Sequence, residues 1–349
     1  MLSKISFEQF TVFSKAEFEF GRHVNVLLGE NGVGKTHVLK AAYALIDVLA
    51  RSEKDASLTP TKVVLQPAIA RKLKAVFRPD SLGRLARRQR GVNHAEIAWN
   101  FDKSARNTVT SFNTKSNDSV TVKAMPQEWG DKLPVFLPAR ELLSIYPGFV
   151  SLFDTSHTEF DETLRDACSL LGAPLARGPR ENTIRELLAP IEEDMGGKVD
   201  LTTEGRFYLV RKDGRVEMHL VAEGLRKLAT IARLIATGSL LDKGYLFWDE
   251  PEANLHPRLI RDIAAMIMRI ARAGVQVFIA THSLFLLREF EILRGGDFQD
   301  VSTRFFGLAA GDDGVVVRQG DSIEDAGDLG LLDETLEQSR RFMDLEGAR

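Results

Sequence analysis

Cysteine is nearly missing from this chain. A single one, Cys168, stands among 349 residues; this excludes an internal disulfide and suits a reducing cytosol, so a cytoplasmic protein with one buried thiol is expected. Long hydrophobic runs are lacking too. None approaches the ~20 residues that span a bilayer, and no apolar stretch opens the chain, so neither a membrane span nor a signal peptide is expected. Charge of one sign is not in excess: 46 Lys and Arg face 49 Asp and Glu, for a net charge of −3. No general attraction to nucleic acid or anionic membranes follows. Of the seven histidines, the six other than His282 show no metal-ligand spacing. No heptads are sustained between Thr36 and Ala222, so no long coiled-coil arm is built. Internal repeats and low-complexity tracts are absent. What is left is an ordinary globular composition, in a chain long enough for one elaborate domain or two.

What is present is concentrated near the start. Gly29-Glu30-Asn31-Gly32-Val33-Gly34-Lys35-Thr36 fits G-x-x-x-x-G-K-[ST], a phosphate-binding loop. Glycines let backbone N–H groups turn inward around a polyphosphate. Lys35 can reach the β- and γ-phosphates, and the Thr36 hydroxyl can hold Mg²⁺. Residues 24–28 read as an apolar strand and 38–50 as a helix. The loop thus lies where a helix N-terminus favours negative charge.

Apolar periodicity outlines the rest. Residues 5–13 and 16–20 alternate as strands of a half-buried antiparallel layer, and 51–93 read as irregular and basic. Residues 95–101, 107–112 and 119–124 form a meander, and 133–138 a short strand between prolines. Helical spacing covers 159–171 and 182–195. Residues 198–220 read as a hairpin turning at Asp213-Gly214, and 222–241 as an amphipathic helix. Residues 244–248 and 275–280 are continuous apolar runs, as in strands buried on both faces of a parallel sheet, with 258–273 as their crossover helix. Two short strands and an acidic helix are expected beyond residue 300.

The strand at 244–248 ends in Asp249 and Glu250, where ligand chemistry gathers in α/β sheets. Asp249 is positioned for Mg²⁺, and Glu250 to orient and deprotonate an attacking water. Thr281-His282-Ser283 ends the next strand, and His282 can donate to a γ-phosphate. Ala222-Glu223-Gly224 opens a helix and offers a second anion-accepting N-terminus.

In this order, these motifs resemble those of the ABC-type P-loop ATPases. Asp249-Glu250-Pro251-Glu252-Ala253-Asn254-Leu255-His256-Pro257, Ala280-Thr281-His282-Ser283 and Leu137-Pro138-Ala139-Arg140-Glu141 are similar to the AAA-15/AAA-21, OLD-like and SMC-related group, found in bacterial anti-phage defence systems beside a separate effector. The resemblance implies an α/β P-loop NTPase fold of ABC-ATPase type: a mixed, largely parallel sheet, an N-terminal antiparallel β layer and a helical lobe. One domain would span 1–349, with a nucleotide core at 1–50 and 222–310, an insertion and helical lobe at 51–221 and an acidic segment at 311–349. It further implies ATP and Mg²⁺ as cofactors and a homodimer with ATP at its interface. Glu223 and Gly224 would come from the opposite subunit, while Asn254 and Leu255 match the loop that crosses the dimer interface. The partner would be an effector, a nuclease or toxin.

Two departures stand out. Ala222 replaces the family's serine, which removes a hydroxyl contact to the γ-phosphate. The glutamine that links Mg²⁺ to the attacking water has only Gln66 and Gln127 as counterparts, and the adenine platform would be Phe13 or Lys15. Charge is patchy as well. Residues 71–90 hold Arg71, Lys72, Lys74, Arg78, Arg84, Arg87, Arg88 and Arg90 against Asp80 alone, a candidate surface for nucleic acid phosphates. Residues 321–349 carry nine acids against three bases. Three functions follow: a nucleotide-gated dimer that controls an effector, a DNA-binding repair-type ATPase, and an ATP-binding scaffold with little hydrolysis.

Overall fold

A computed structural model describes residues 1–52, 59–88, 91–146, 148–156, 158–176, 178, 181–241, 244–327, 337–338 and 340–344. Its centre is a six-stranded sheet. β3 (Val24–Gly29) runs from the antiparallel layer into the phosphate loop, and α1 (Lys35–Ser52) runs away from it. The sheet order is β14-β13-β3-β12-β11-β7. β7 (Pro134–Leu137), β11 (Tyr245–Asp249), β12 (Gln276–Thr281) and β13 (Thr303–Gly311) join β3 in parallel. β14 (Gly314–Gly320) closes one edge antiparallel to β13. Every residue of β3, β7 and β12 is buried, which is why these strands read as unbroken apolar runs. Their two buried amides are satisfied. Asn25 donates to Gly21 O at 3.0 Å, and Gln276 donates to Leu2 O and Gly21 O at 2.8 Å.

A second sheet covers one face. Its order is β2-β1-β4-β5-β6, from β1 (Leu2–Phe10), β2 (Phe13–Glu19), β4 (His94–Phe101), β5 (Thr108–Asn113) and β6 (Thr121–Ala124). The meander therefore extends the N-terminal layer through β1–β4 pairing. α1 is sandwiched between the two sheets: Val38, Ala41, Leu45 and Leu49 share one core with Phe7, Phe18, Trp99, Phe247 and Phe278. The Trp99 indole N–H donates to Ala41 O at 3.1 Å, which satisfies the polar tip of a large buried ring.

The helical lobe and crossover helices pack on the other face. They are α3 (Phe149–Thr155), α4 (Glu162–Leu171), α5 (Glu181–Met195), α6 (Glu223–Ala236), α7 (Pro257–Arg272) and α8 (Leu284–Gly295). Helices α3 and α8 have no counterpart in the sequence reading, and three further segments differ from it. Residues 51–93 contain α2 (Lys62–Phe77), whose apolar stripe of Leu65, Ile69, Leu73 and Val76 is fully buried but is diluted in sequence by Pro67 and four basic residues. Residues 198–220 hold three antiparallel strands, β8 (Lys198–Leu201), β9 (Phe207–Arg211) and β10 (Gly214–Glu217). The second turn is Lys212-Asp213, because Gly214 already pairs with Arg211. The helix expected over 222–241 stops at Ala236, just before Gly238 with φ 70°. The acidic helix expected in the tail falls largely outside the described residues.

Candidate nucleotide site

The carboxyl ends of β3, β11 and β12 meet on one rim of the core sheet. From β3 the chain enters the phosphate loop, with Glu30, Asn31 and Gly32 exposed and Val33, Gly34 and Lys35 buried. Gly34 has φ 91°, and a Cβ there would lie 2.6 Å from Val12 and 2.8 Å from Phe13; only glycine fits under the β1–β2 turn. The Lys35 ammonium donates to Gly29 O at 2.7 Å and Glu30 O at 2.8 Å. Burial lowers its pKa, an effect opposed by Glu250, Asp249, Glu252 and Glu30.

Thr36 and Asp249 lie 213 residues apart in sequence, yet the Thr36 hydroxyl donates to Asp249 Oδ2 at 2.9 Å. A hydroxyl and a carboxylate converging at a helix N-terminus are the hard oxygen donors that Mg²⁺ takes from protein in phosphate sites. Burial, with Glu250 adding to it, pushes the Asp249 pKa up to about 6 against the Thr36 hydrogen bond. Register continues one residue past the strand, where Glu250 N–H donates to Ala280 O at 2.8 Å. Glu250 itself has φ 48°, a left-handed conformation that costs a non-glycine residue ~1–3 kcal/mol and persists where function requires it. Its Oε1 lies 3.4 Å from His282 Nδ1. His282 is half-exposed at 48%, and Glu250 is 29% exposed, so both are open to a ligand.

The 251–256 turn follows directly. Glu252 is buried; it accepts from the Thr281 hydroxyl at 2.5 Å and lies 3.4 Å from His282 N. Asn254, with φ 62°, donates to Glu223 Oε1 at 3.0 Å. Buried Lys227 donates to Ala253 O. The start of α6 is thus bound to its own subunit's 251–256 turn. No side chain caps its first N–H groups at Ala222, which leaves them available to an anion. Arg226, one turn on, donates to Glu141 Oε2 at 2.9 Å and ties α6 to the segment that leaves β7. Glu141 closes the Leu137–Glu141 motif quoted from the sequence, whereas Lys227 carried no signal beyond ordinary helix patterning.

Other candidates lie elsewhere. Phe13 is fully buried and stacks on Phe7 at 5.1 Å, so it offers no adenine platform, whereas Lys15 is exposed. Gln66 accepts from Val122 N at 3.1 Å, which fixes it between α2 and β6. Gln127 is held by its backbone to Ala105 O at 2.6 Å, next to a turn of the antiparallel layer. Neither belongs to the rim. Four of the seven described basic residues of the block pair with carboxylates. Lys72 is buried among carboxylates, Lys74 pairs with Asp118, Arg84 with Asp80 and Arg87 with Asp313, and Arg78 donates to Thr158 O. Arg71 and Arg88 have no ion-pair partner among the described residues, and Arg90 lies outside them. No three-residue His/Cys/Asp/Glu metal cluster occurs among the described residues.

A parallel sheet with a phosphate loop and two acidic or histidine strand ends on one rim, between an antiparallel layer and a helical lobe, defines a P-loop ATPase fold of ABC type. More narrowly, the fold is similar to that of SMC heads. Residues 138–288 match the family described as "AAA domain, putative AbiEii toxin, Type IV TA system". An SMC head solved bound to the C-winged helix domain of ScpA is similar at 14% identity and TM-score 0.56, over 93% of this chain and 98% of that one. An SMC head with an extended coiled coil, bound to the C-terminal domain of ScpA derived from Pyrococcus furiosus, is similar at 11% identity and TM-score 0.53, over 97% and 99%. No described helix is long and apolar enough to cross a membrane.

Proposed function

We propose that this chain is an ATP-hydrolysing, nucleotide-gated dimer that controls a partner effector in anti-phage defence, acting as one domain in the cytoplasm. One observation carries the reading: Thr36–Asp249 at 2.9 Å and Glu250–His282 at 3.4 Å bring four residues from three chain segments to one rim. In this reading Gly29–Thr36 cradles the triphosphate and Lys35 neutralises it. Thr36 and Asp249 hold Mg²⁺, Glu250 activates water and His282 contacts the γ-phosphate. Glu223 and Gly224 cap the nucleotide of the opposite subunit, because within their own subunit Glu223 meets Asn254 and Gly224 meets Leu255 and Leu259 rather than the phosphate loop. The effector reading is supported by the family match, whose description names a toxin of a toxin–antitoxin system. Both similar SMC heads carry a bound protein domain, which supports a protein partner.

The DNA-binding reading loses support from the acidic partners of residues 71–90, because phosphate binding needs uncompensated cations. The scaffold reading keeps one supporting feature, the missing hydroxyl at Ala222, since a hydrogen bond to a charged group contributes ~1.5–3 kcal/mol. Turnover is therefore expected to be slow. Glu250→Gln separates the readings: it should retain ATP while phosphate release falls ~10²–10⁴-fold. An unchanged rate would remove Glu250 from the chemistry, and no release from the unaltered protein would favour the scaffold.

A further inference from the structure

Glu252 is a buried carboxylate for which the hydrolysis scheme above has no use. It is 7% exposed. Its Oε1 gathers three groups of the neighbouring strand end: the Thr281 hydroxyl at 2.5 Å, His282 N at 3.4 Å and His282 Nδ1 at 4.0 Å. Its Oε2 is buried without a hydrogen-bond partner. The Thr281 hydroxyl in turn accepts from Ser283 N at 3.0 Å, and Ser283 Oγ accepts from Leu286 N at 3.2 Å at the start of α8. The turn from β12 into α8 is moulded around one carboxylate, with His282 at its apex.

Holding β11 to β12 does not require this carboxylate. The parallel ladder already runs through Trp248↔Ile279 and Asp249↔Ala280, and Glu250 N–H donates to Ala280 O at 2.8 Å. A half-satisfied buried carboxylate weakens the fold compared with an apolar residue of similar size. A feature retained against stability, beside a reactive pair, points to a role in that pair.

We propose that Glu252 is the positioning residue for His282. It fixes the 281–283 turn so that the ring presents Nδ1 to Glu250, and with carboxylates at 3.4 and 4.0 Å on that side it keeps a proton on Nδ1. Nε2 is thereby left to face the nucleotide. Thr281 is the second member of the device, since its hydroxyl is the short contact through which the carboxylate grips the turn. The proposal rests on the hydrolysis reading for its kinetic consequence, but not for its structural one.

The test is a double-mutant cycle on the full chain. Glu252→Ala and Thr281→Val should each lower kcat about 10- to 100-fold, the cost of displacing a catalytic group by about an ångström, with KM for ATP changed by less than about threefold. His282→Ala should do the same. Combining Glu252→Ala with His282→Ala should add less than about twofold, because the two act as one unit. Glu252→Gln keeps an acceptor at Oε1 and should recover most of the rate. Additive losses, or a wild-type rate in Glu252→Ala, would overturn the proposal; Thr281→Val serves if Glu252→Ala does not fold. A second readout needs no turnover: ¹⁵N NMR of the His282 ring without nucleotide. Wild type should report the Nδ1–H tautomer, and Thr281→Val a mixture. Identical spectra would sink the proposal, whereas absent turnover in wild type would sink only the hydrolysis reading.

Discussion

Lys35 and Asp249 bracket the candidate site at the residue scale. Lys35→Ala removes the only lysine of the cradle, and ATP affinity should fall about 10- to 100-fold, as expected for losing charge-assisted hydrogen bonds; isothermal titration checks this. Asp249 gives a pH dependence. Its pKa rises from 3.8 to about 6 because burial disfavours the carboxylate. Between ~pH 4 and ~6 the folded protein holds more protons at this group than the unfolded chain does. Asp249 alone therefore adds stability as pH falls through that window and opposes folding above it. Mg²⁺ needs the ionised form, so Mg²⁺-dependent ATP binding should weaken as pH falls through about 6, measured by titration from pH 5 to 8. His37 acts in the opposite direction. Burial, assisted by Lys40, lowers its pKa from 6.5 to about 4, so its contribution to stability is lost as pH falls across that interval. Denaturant unfolding against pH should show the acid limb flatten in His37→Leu. The ligand-type residues here were legible because their spacing is a motif; the shifts were not, because burial is a tertiary property.

Among the elements, sequence patterning missed α2, α3 and α8, and the structure ties α2 to the site. The Lys72 ammonium lies 2.7 Å from Asp47 Oδ2 on α1 and 2.8 Å from Asp166 Oδ2 on α4, and the Tyr43 hydroxyl donates to Asp166 at 2.6 Å. Burial pushes the Asp166 pKa up, but Lys72 and Arg51 outweigh it and hold the carboxyl below its ordinary value. Three helices thus meet at one buried ion cluster, and α1 carries the phosphate loop at its other end. Removing one partner of such a cluster leaves uncompensated charge, so Lys72→Met should cost ~3–5 kcal/mol in urea unfolding. A basic residue read from sequence as part of a candidate phosphate-binding surface is instead an internal cross-link. Composition cannot distinguish the two, because the carboxylates that decide it come from other segments.

For the whole molecule the question is what closes on the nucleotide. A Cβ on Gly224 would meet Leu259 at 2.9 Å and Leu255 at 3.1 Å, so the start of α6 seats directly on the 251–256 turn and the first turn of α7. In the proposed dimer, Glu250→Gln with ATP should double the mass seen by light scattering. Adding Gly224→Leu to that variant should return it to a monomer, because the side chain displaces the seat of the helix. A monomer in both, with ATP bound, would rule out nucleotide gating.

The sequence by itself determined the phosphate loop, the parallel core strands and the acidic and histidine strand ends. These depend on local patterns: glycine at tight turns, unbroken apolar runs in strands buried on both faces, and ligand residues at strand termini. Only the tertiary structure decided the rest. It paired the meander with β1, withdrew Phe13 into the core, moved Gln66 and Gln127 off the rim and paired four residues of the basic block with carboxylates. It also gave Glu252 a neighbour in Thr281. Each of these depends on contacts between residues tens to hundreds of positions apart, and no local pattern encodes which distant group will satisfy a buried charge or cover a ring.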